Sequence, residues 1–251
     1  MLLDLSGKKI LVTGIANNRS IAWGIAQQLK AAGAELGITY LPDEKGRFEA
    51  KVKELTSPLN PSLFLPLNVQ NSSQIEEVFE AIKNQWGQLD GLVHCLAFAG
   101  KEELVGNYSA TSSEGFSRAL EISAYSLAPL CKYAKPLFSK GAGVVTLTYL
   151  GAERAIPNYN VMGVAKAALS HLTKELAIRF ASKGIQVNCV AYGGVEGRVD
   201  AEFKDRYSKM VPMGRMLLED EITWPLDALL SEKSRPMTGQ TLNFDGGWTI
   251  W

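Results

Sequence analysis

The sequence predicts an α/β fold: one doubly wound parallel sheet with helices on both faces. Three observations predict it. Short β-rich runs alternate with longer stretches of helical apolar spacing along the 251 residues. No internal repeat, low-complexity tract or linker interrupts the alternation. The first strand runs into a tight glycine turn and then straight into a helix. Such alternation implies right-handed crossovers and a parallel sheet. A single domain over residues 1–251 is expected, because α/β domains reach this length as one unit.

Lys9–Thr13 (KILVT) reads as the first strand, closed by a turn at Gly14. Ser20–Ala32 has apolar residues at helical spacing, and Gly33 stands where a helix-terminating glycine belongs. Glu35–Tyr40 is a second strand, followed by a charged helix over Lys45–Leu55. Leu63–Val69 is a third strand and Ser73–Trp86 an amphipathic helix. Leu89–Cys95 is a fourth strand, and Ser113–Phe138 is long and mostly helical. Gly143–Tyr149 is a fifth strand. Pro157, preorganised for a first helical position, starts a helix that reaches Ser182. Gln186–Ala191 and Gln240–Phe244 complete a set of seven strands. The pattern fits the Rossmann-type, dinucleotide-binding architecture; another α/β fold with the same alternation is the alternative.

Composition narrows the function. Lys plus Arg and Asp plus Glu both number 26, so the formal net charge is zero and gives no case for nucleic acid or an anionic membrane. No apolar run is long enough to span a bilayer, and the N-terminal residues carry no basic, signal-like segment. Cys95, Cys131 and Cys189 are odd in number and set in apolar surroundings, so they read as buried free thiols in a reducing cytoplasm. Two histidines give no basis for a His/Cys metal site.

Two stretches carry chemistry. After the first strand, TGIANNRSIA leads into a helix N-terminus, where backbone N–H groups and the helix dipole favour a pyrophosphate. The GxGxxG spacing is absent; a plain strand–helix turn with Ser20 as N-cap is the alternative. Tyr159 and Lys166 lie seven residues apart, about two helical turns with roughly 20° of drift, so one helix presents both on the same side. A tyrosine hydroxyl beside an ammonium can donate to a developing oxyanion, and the lysine can also bind ribose hydroxyls. A tyrosine and a lysine on an ordinary helix flank is the alternative.

The run TLTYLGAERAIPNYNVMGVAKAAL resembles the enoyl-acyl-carrier-protein reductases of the short-chain dehydrogenase/reductase superfamily. Their mark is tyrosine, six residues, lysine. SGKKILVTGIANNRSIAWGIA, LDGLVHCLAFA and EISAYSL resemble the same family, and TYLPDEKGR with Asn68-Val69 resembles its cyanobacterial and plastid branch. The resemblance implies reduction of the 2,3 double bond of an acyl thioester on acyl carrier protein, in type II fatty acid synthesis. It implies that Gly14, Ile15, Ser20 and Ile21 cradle the pyrophosphate and that Asn68 and Val69 meet adenine. Cys95, Leu96 and Ala97 would line the cofactor, with Thr148 beside them. Lys166 would hold the nicotinamide ribose, Tyr159 would serve the thioester oxygen, and Tyr149 would shape the acyl pocket. It also implies a cytoplasmic homotetramer. For the tetramer, Phe116, Leu120, Leu127, Leu130, Leu169, Leu172, Leu176 and Phe180 look like more apolar positions than one sheet face needs.

The resemblance breaks after Val187-Asn188. The family's Ala-Gly-Pro-Ile-Arg-Thr motif is here Tyr192-Gly193-Gly194-Val195-Glu196-Gly197. Val195 stands in for the isoleucine that covers the nicotinamide; proline and threonine are gone. With Gly193, Gly194 and Gly197 so close together, Tyr192–Asp200 is expected to be mobile without cofactor, and a threonine at Gly197 to recover affinity. The segment to Pro212 is short, so residues of about 192–215 form an atypical substrate lid. The C-terminal third looks more like general carbonyl-reducing members. A carbonyl reductase or dehydrogenase on another small substrate, including sugar-derived ones, therefore stays open. So does a cofactor-binding protein without turnover. Strand two ends at Tyr40-Leu41, near Asp43, Glu44, Lys45 and Arg47; the cofactor reading is NAD, with NADH favoured over NADPH.

Overall fold

The computed structural model describes residues 4–197 and 201–251, the side chain of Phe203 excepted. Seven strands form one parallel sheet: β1 (Lys9–Val12), β2 (Glu35–Tyr40), β3 (Leu63–Pro66), β4 (Leu89–His94), β5 (Phe138–Thr148), β6 (Gln186–Tyr192) and β7 (Thr241–Phe244). Their spatial order is β3-β2-β1-β4-β5-β6-β7, the doubly wound arrangement. The order reverses between β1 and β4, which pair in parallel from Ile10↔Gly91 to Val12↔Val93. A crevice opens at the carboxyl ends of the strands at such a switch point.

The helices are α1 (Ile21–Ala31), α2 (Arg47–Thr56), α3 (Ser72–Trp86), α4 (Ser113–Leu120), α5 (Leu127–Ala134), α6 (Asn160–Ala181), α7 (Ala201–Met210) and α8 (Trp224–Leu230). On one face, Ile25 and Leu29 of α1 and Leu226 and Leu229 of α8 pack against Ile10, Ile38, Val93 and Val145. On the other, α3, α5 and α6 bury Ile75, Ile82, Leu127, Leu130, Leu169 and Phe180 against Leu11, Leu92, Val144 and Val187. Parallel strands covered on both faces read as continuous apolar runs, and these do.

Several elements depart from the sequence reading. The helical stretch expected over Ser113–Phe138 is broken. Glu121–Tyr125 makes a π turn between α4 and α5, sealed by the Ser126 N–H on the Glu121 carbonyl at 3.0 Å. Phe138 already belongs to β5, where it pairs with Leu89. The helix expected from Pro157 begins at Asn160 instead. Asn158 and Asn160 hold φ of 61° and 36°, a left-handed backbone that asparagine tolerates better than most residues. The third strand stops at Pro66, and Asn68 turns the chain by accepting the Gln70 N–H at 3.0 Å. Two short helices, α7 and α8, have no counterpart in the sequence reading.

His94, at the end of β4, ties three elements together. Its Nδ1 lies 2.7 Å from Thr146 Oγ1 on β5, and its Nε2 lies 2.9 Å from Ser126 Oγ. Ser126 in turn donates to the Ile122 carbonyl at 2.7 Å, inside the π turn. Burial, and then the charge of Lys166, push the imidazole pKa down to about 3. A histidine held neutral in the fold but free to protonate when unfolded stabilises above the unfolded pKa of about 6.5. That contribution is lost as the pH falls below it. Chemical denaturation at pH 7 and pH 5 should therefore show the advantage of the wild type over His94→Gln shrinking by about 2 kcal/mol. An advantage that stays constant between the two pH values would mean that His94 is not held neutral.

Candidate active site

Loops from five strand ends surround one cleft of about 1190 Å³, larger than the roughly 300–1,000 Å³ of an ordinary small-molecule pocket. Gly14 follows β1, Cys95, Leu96 and Ala97 follow β4, Thr148 and Tyr149 close β5, Gly193 follows β6 and Trp248 follows β7; all line it. Ser20 and Ile21, at the start of α1, line it too.

The α1 end is built for an anion. Ser20 occupies the cap position, yet no side chain caps the helix. Its hydroxyl turns back and accepts the N–H groups of Ala16 and Asn17 at 3.0 and 3.1 Å. The first-turn N–H groups of α1 are left without a side-chain cap beside the cleft, as an anion site requires. Gly14 has φ of 91°, and a Cβ there would stand 2.2 Å from the Cys95 carbonyl oxygen. Only glycine permits this close approach of the β1 and β4 ends. A backbone cradle, a capless helix and a cleft of this size fit a dinucleotide.

The chemical end is aromatic. Tyr159 caps α6. Its ring meets that of Tyr149 edge-on, with centroids 4.8 Å apart. Both rings fit because Gly151 lacks a side chain: a Cβ there would lie 2.5 Å from Tyr159 and 3.2 Å from Tyr149. Burial raises the pKa of both phenols, Tyr149 also feeling its neighbours, so both hydroxyls remain donors at neutral pH. Lys166, 6% exposed, donates to the Leu147 carbonyl at 2.8 Å. Burial brings its pKa down to about 8.

The cleft thus brings together Tyr159, Lys166, Tyr149, Gly14, Ser20, Ile21, Cys95, Leu96, Ala97, Thr148 and Gly193. Other expected residues stand apart from its walls. Ile15 is 3% exposed and belongs to the core, leaving its backbone for a ligand. Leu41, Asn68 and Val69 lie at the carboxyl ends of β2 and β3; Leu41 is half exposed at the surface. Val195 does not cover the cleft. Its side chain is buried in the core with Leu217, to which it is bridged. Asp43 accepts N–H groups from Arg47 and Phe48 at 3.2 and 2.9 Å, so its carboxylate serves α2.

The expected mobile loop is tied down up to Glu196. The Gly193 N–H reaches the Phe244 carbonyl at 3.0 Å, Leu217 N–H reaches the Gly194 carbonyl at 2.9 Å, and Glu196 N–H returns to the Leu217 carbonyl at 2.9 Å. Gly197 has φ of 75°, which a β-branched threonine resists, so the expected gain from that substitution does not follow. Arg198, Val199 and Asp200 lie outside the described residues.

Tyr207 and Trp248 are site residues that the sequence reading missed. Tyr207, on α7, packs edge-on against Trp248 at 4.8 Å, and Trp248 meets Tyr149 at 5.7 Å. They come from segments 41 residues apart, and no local spacing links them. The three cysteines are free, as read, with Cys131 and Cys189 buried and Cys95 half-buried.

Comparison with known proteins agrees with this geometry. The family described as enoyl-(acyl carrier protein) reductase matches residues 14–249. A protein of Nostoc sp., named enoyl-[acyl-carrier-protein] reductase [NADH] FabI, is 50% identical over 99% of both chains. One of the same name from Synechocystis sp. is 48% identical, again over 99% of both. The crystal structure of the Anaplasma phagocytophilum reductase in complex with NAD superposes with a TM-score of 0.92 at 36% identity, covering 98% of this chain and 94% of that one. The likeness runs through the C-terminal third, which the sequence alone set apart. The chain belongs to the enoyl-acyl-carrier-protein reductase family.

Proposed function

We infer that the chain reduces the 2,3 double bond of enoyl-acyl-carrier-protein thioesters with NADH, a step of type II fatty acid synthesis. The observation that carries the mechanism is the convergence of Tyr159, Tyr149 and Lys166 on a cleft whose other end is the open N-terminus of α1. The names of the Nostoc and Synechocystis relatives support NADH as reductant. The 48–50% full-length identity favours this reading over a carbonyl reductase.

The bound nicotinamide supplies the hydride. The residues of this chain do the rest. Ser20, Ile21 and the backbone of Gly14 and Ile15 hold the pyrophosphate against the dipole of α1. Leu41, Asn68 and Val69 take the adenosine end; Cys95, Leu96, Ala97, Thr148 and Gly193 line the path to the nicotinamide. The Lys166 ammonium binds ribose hydroxyls and places positive charge beneath the reacting oxygen. As charge builds on the thioester oxygen, the Tyr159 hydroxyl donates to it, and Tyr149 walls the acyl chain. Residues 192–215 act as the substrate lid on a single reductase domain.

A homotetramer in the cytoplasm completes the proposal. Leu127, Leu130, Leu169 and Phe180 are buried in the chain's own core and are not spare. Val164 and Ile178 on α6 and Tyr125 beside it are the exposed apolar residues that suit a neighbouring copy. The free cysteines suit a reducing compartment. Among the described residues no helix is long and apolar enough to cross a membrane.

Tyr159→Phe keeps the ring and loses the donor. Turnover on crotonyl thioester should fall about 10²–10³-fold, with NADH affinity nearly unchanged. Full turnover would remove Tyr159 from the mechanism. Lys166→Ala should weaken NADH binding in calorimetry; wild-type affinity would remove the ribose role. Because the lysine loses its proton as the pH rises through about 8, NADH affinity should decline above that value in the wild type. A flat binding profile from pH 7 to 9.5 would mean that the ammonium charge is not used. Light scattering at micromolar concentration should give four times the chain mass; a monomer would overturn the tetramer.

A further inference from the structure

We propose that Arg154 is a positioning residue: it clamps the segment after β7 onto the loop between Tyr149 and Tyr159, and so fixes Trp248 as the far wall of the acyl pocket. The proposal rests on the enoyl reductase reading above and deepens it, naming what a long acyl chain meets beyond the two tyrosines.

After β7 the chain folds back on itself. The Asp245 carboxylate, 7% exposed, accepts the Gly247 N–H at 3.0 Å and the Thr249 N–H at 2.8 Å, and takes the Thr249 hydroxyl as well. Gly246 and Gly247 make the turn with φ of 68° and 92°, a left-handed backbone that suits glycine. A single helical turn over Trp248–Ile250 follows. The end of such a turn presents main-chain oxygens that lack helical partners. Arg154 meets that need. Its Nη1 donates to the Trp251 oxygen at 2.8 Å and its Nη2 to the Thr249 oxygen at 2.9 Å. A guanidinium serves two oxygens at once because its donors form a planar fork.

The clamp has a chemical end. Asp245 fixes the near end of the segment and Arg154 the far end, with Trp248 between the two anchors. Arg154 also sits between Tyr149 and Tyr159 in the chain, and its own N–H is held by the Leu150 carbonyl at 3.0 Å. Trp248, 9% exposed, meets Tyr149 on one side and Tyr207 on the other, with centroids 5.7 and 4.8 Å away. Along this run of rings Tyr149 stands between Tyr159 and Trp248. Arg154 and Trp248 both line the cleft. With the thioester oxygen at Tyr159, an acyl chain that extends past Tyr149 meets Trp248. A crotonyl group, with a single methyl beyond its double bond, ends short of it.

Arg154→Met keeps the length of the side chain and loses both donors. KM for a long-chain 2-enoyl thioester should rise about fivefold, because the held wall is less often in place. Turnover of that substrate, KM for crotonyl thioester and NADH affinity in calorimetry should stay within twofold of wild type. Arg154→Lys, which can reach one oxygen, should recover part of the loss. Trp248→Leu should raise the long-chain KM by itself, and adding Arg154→Met to it should cost nothing more, since the clamp then holds no wall. A long-chain KM within twofold of wild type in Arg154→Met overturns the clamp, even if the melting temperature has fallen. So does an equal rise for crotonyl and long-chain substrates, or a double variant in which the two losses add. Wild-type protein that reduces neither thioester would instead overturn the functional reading, and the clamp with it.

Discussion

A buried ammonium governs the chemistry beneath the cleft. Lys166 is nearly inaccessible, and its ammonium donates a hydrogen bond to the Leu147 carbonyl. Taking such a charge out of water is costly, and the lysine responds by giving up its proton more readily. Its neighbours respond as well. The charge helps keep His94 neutral and partly offsets the effect of burial on the thiols of Cys95 and Cys189. His94 can then use both ring nitrogens in fixed hydrogen bonds to β5 and the π turn. The charge that faces the cleft also helps order the polar contacts beneath it.

The sheet supplies the frame for this arrangement. Every strand points its carboxyl end to the same edge, so the segments that follow the strands converge there. β1 and β4 come close enough at that edge that Gly14 rests on the Cys95 carbonyl. Farther along, β6 and β7 hold Gly193 through Phe244. One end of the cleft is thus made mostly of backbone, and the other of side chains from α6 and α7 and the segment after β7.

What the sequence reveals is what local chemistry determines. Strand Glu35–Tyr40 coincides with its reading because a β-rich run is bounded by Gly33 on one side and Pro42 on the other. The Tyr159–Lys166 spacing is likewise local, and so is the turn at Gly14. The π turn is not, because its Ser126 is fixed by His94, which is 32 residues away. Tyr207 is hidden for the same reason: nothing in AEFKDRYSKM distinguishes it from a solvent-facing tyrosine until Trp248 is placed beside it. Val195 misleads in the opposite way. Its residue type suits a nicotinamide cover, but the bridge to Leu217 turns it into the core.

Gly151 sets a tolerance on the reaction. Its missing side chain leaves just enough space for two phenol rings, and the Gly151 carbonyl in turn would lie 2.8 Å from a Cβ at Gly163. Two absent methyl groups therefore work as a spacer between the β5 turn and the first turns of α6. On that side the rings have no slack. Any adjustment to substrates of different width must come from the rest of the cleft lining, which includes Ile156 and Met210. A chain built this way keeps both phenol rings fixed and leaves the fitting to whatever enters beside them.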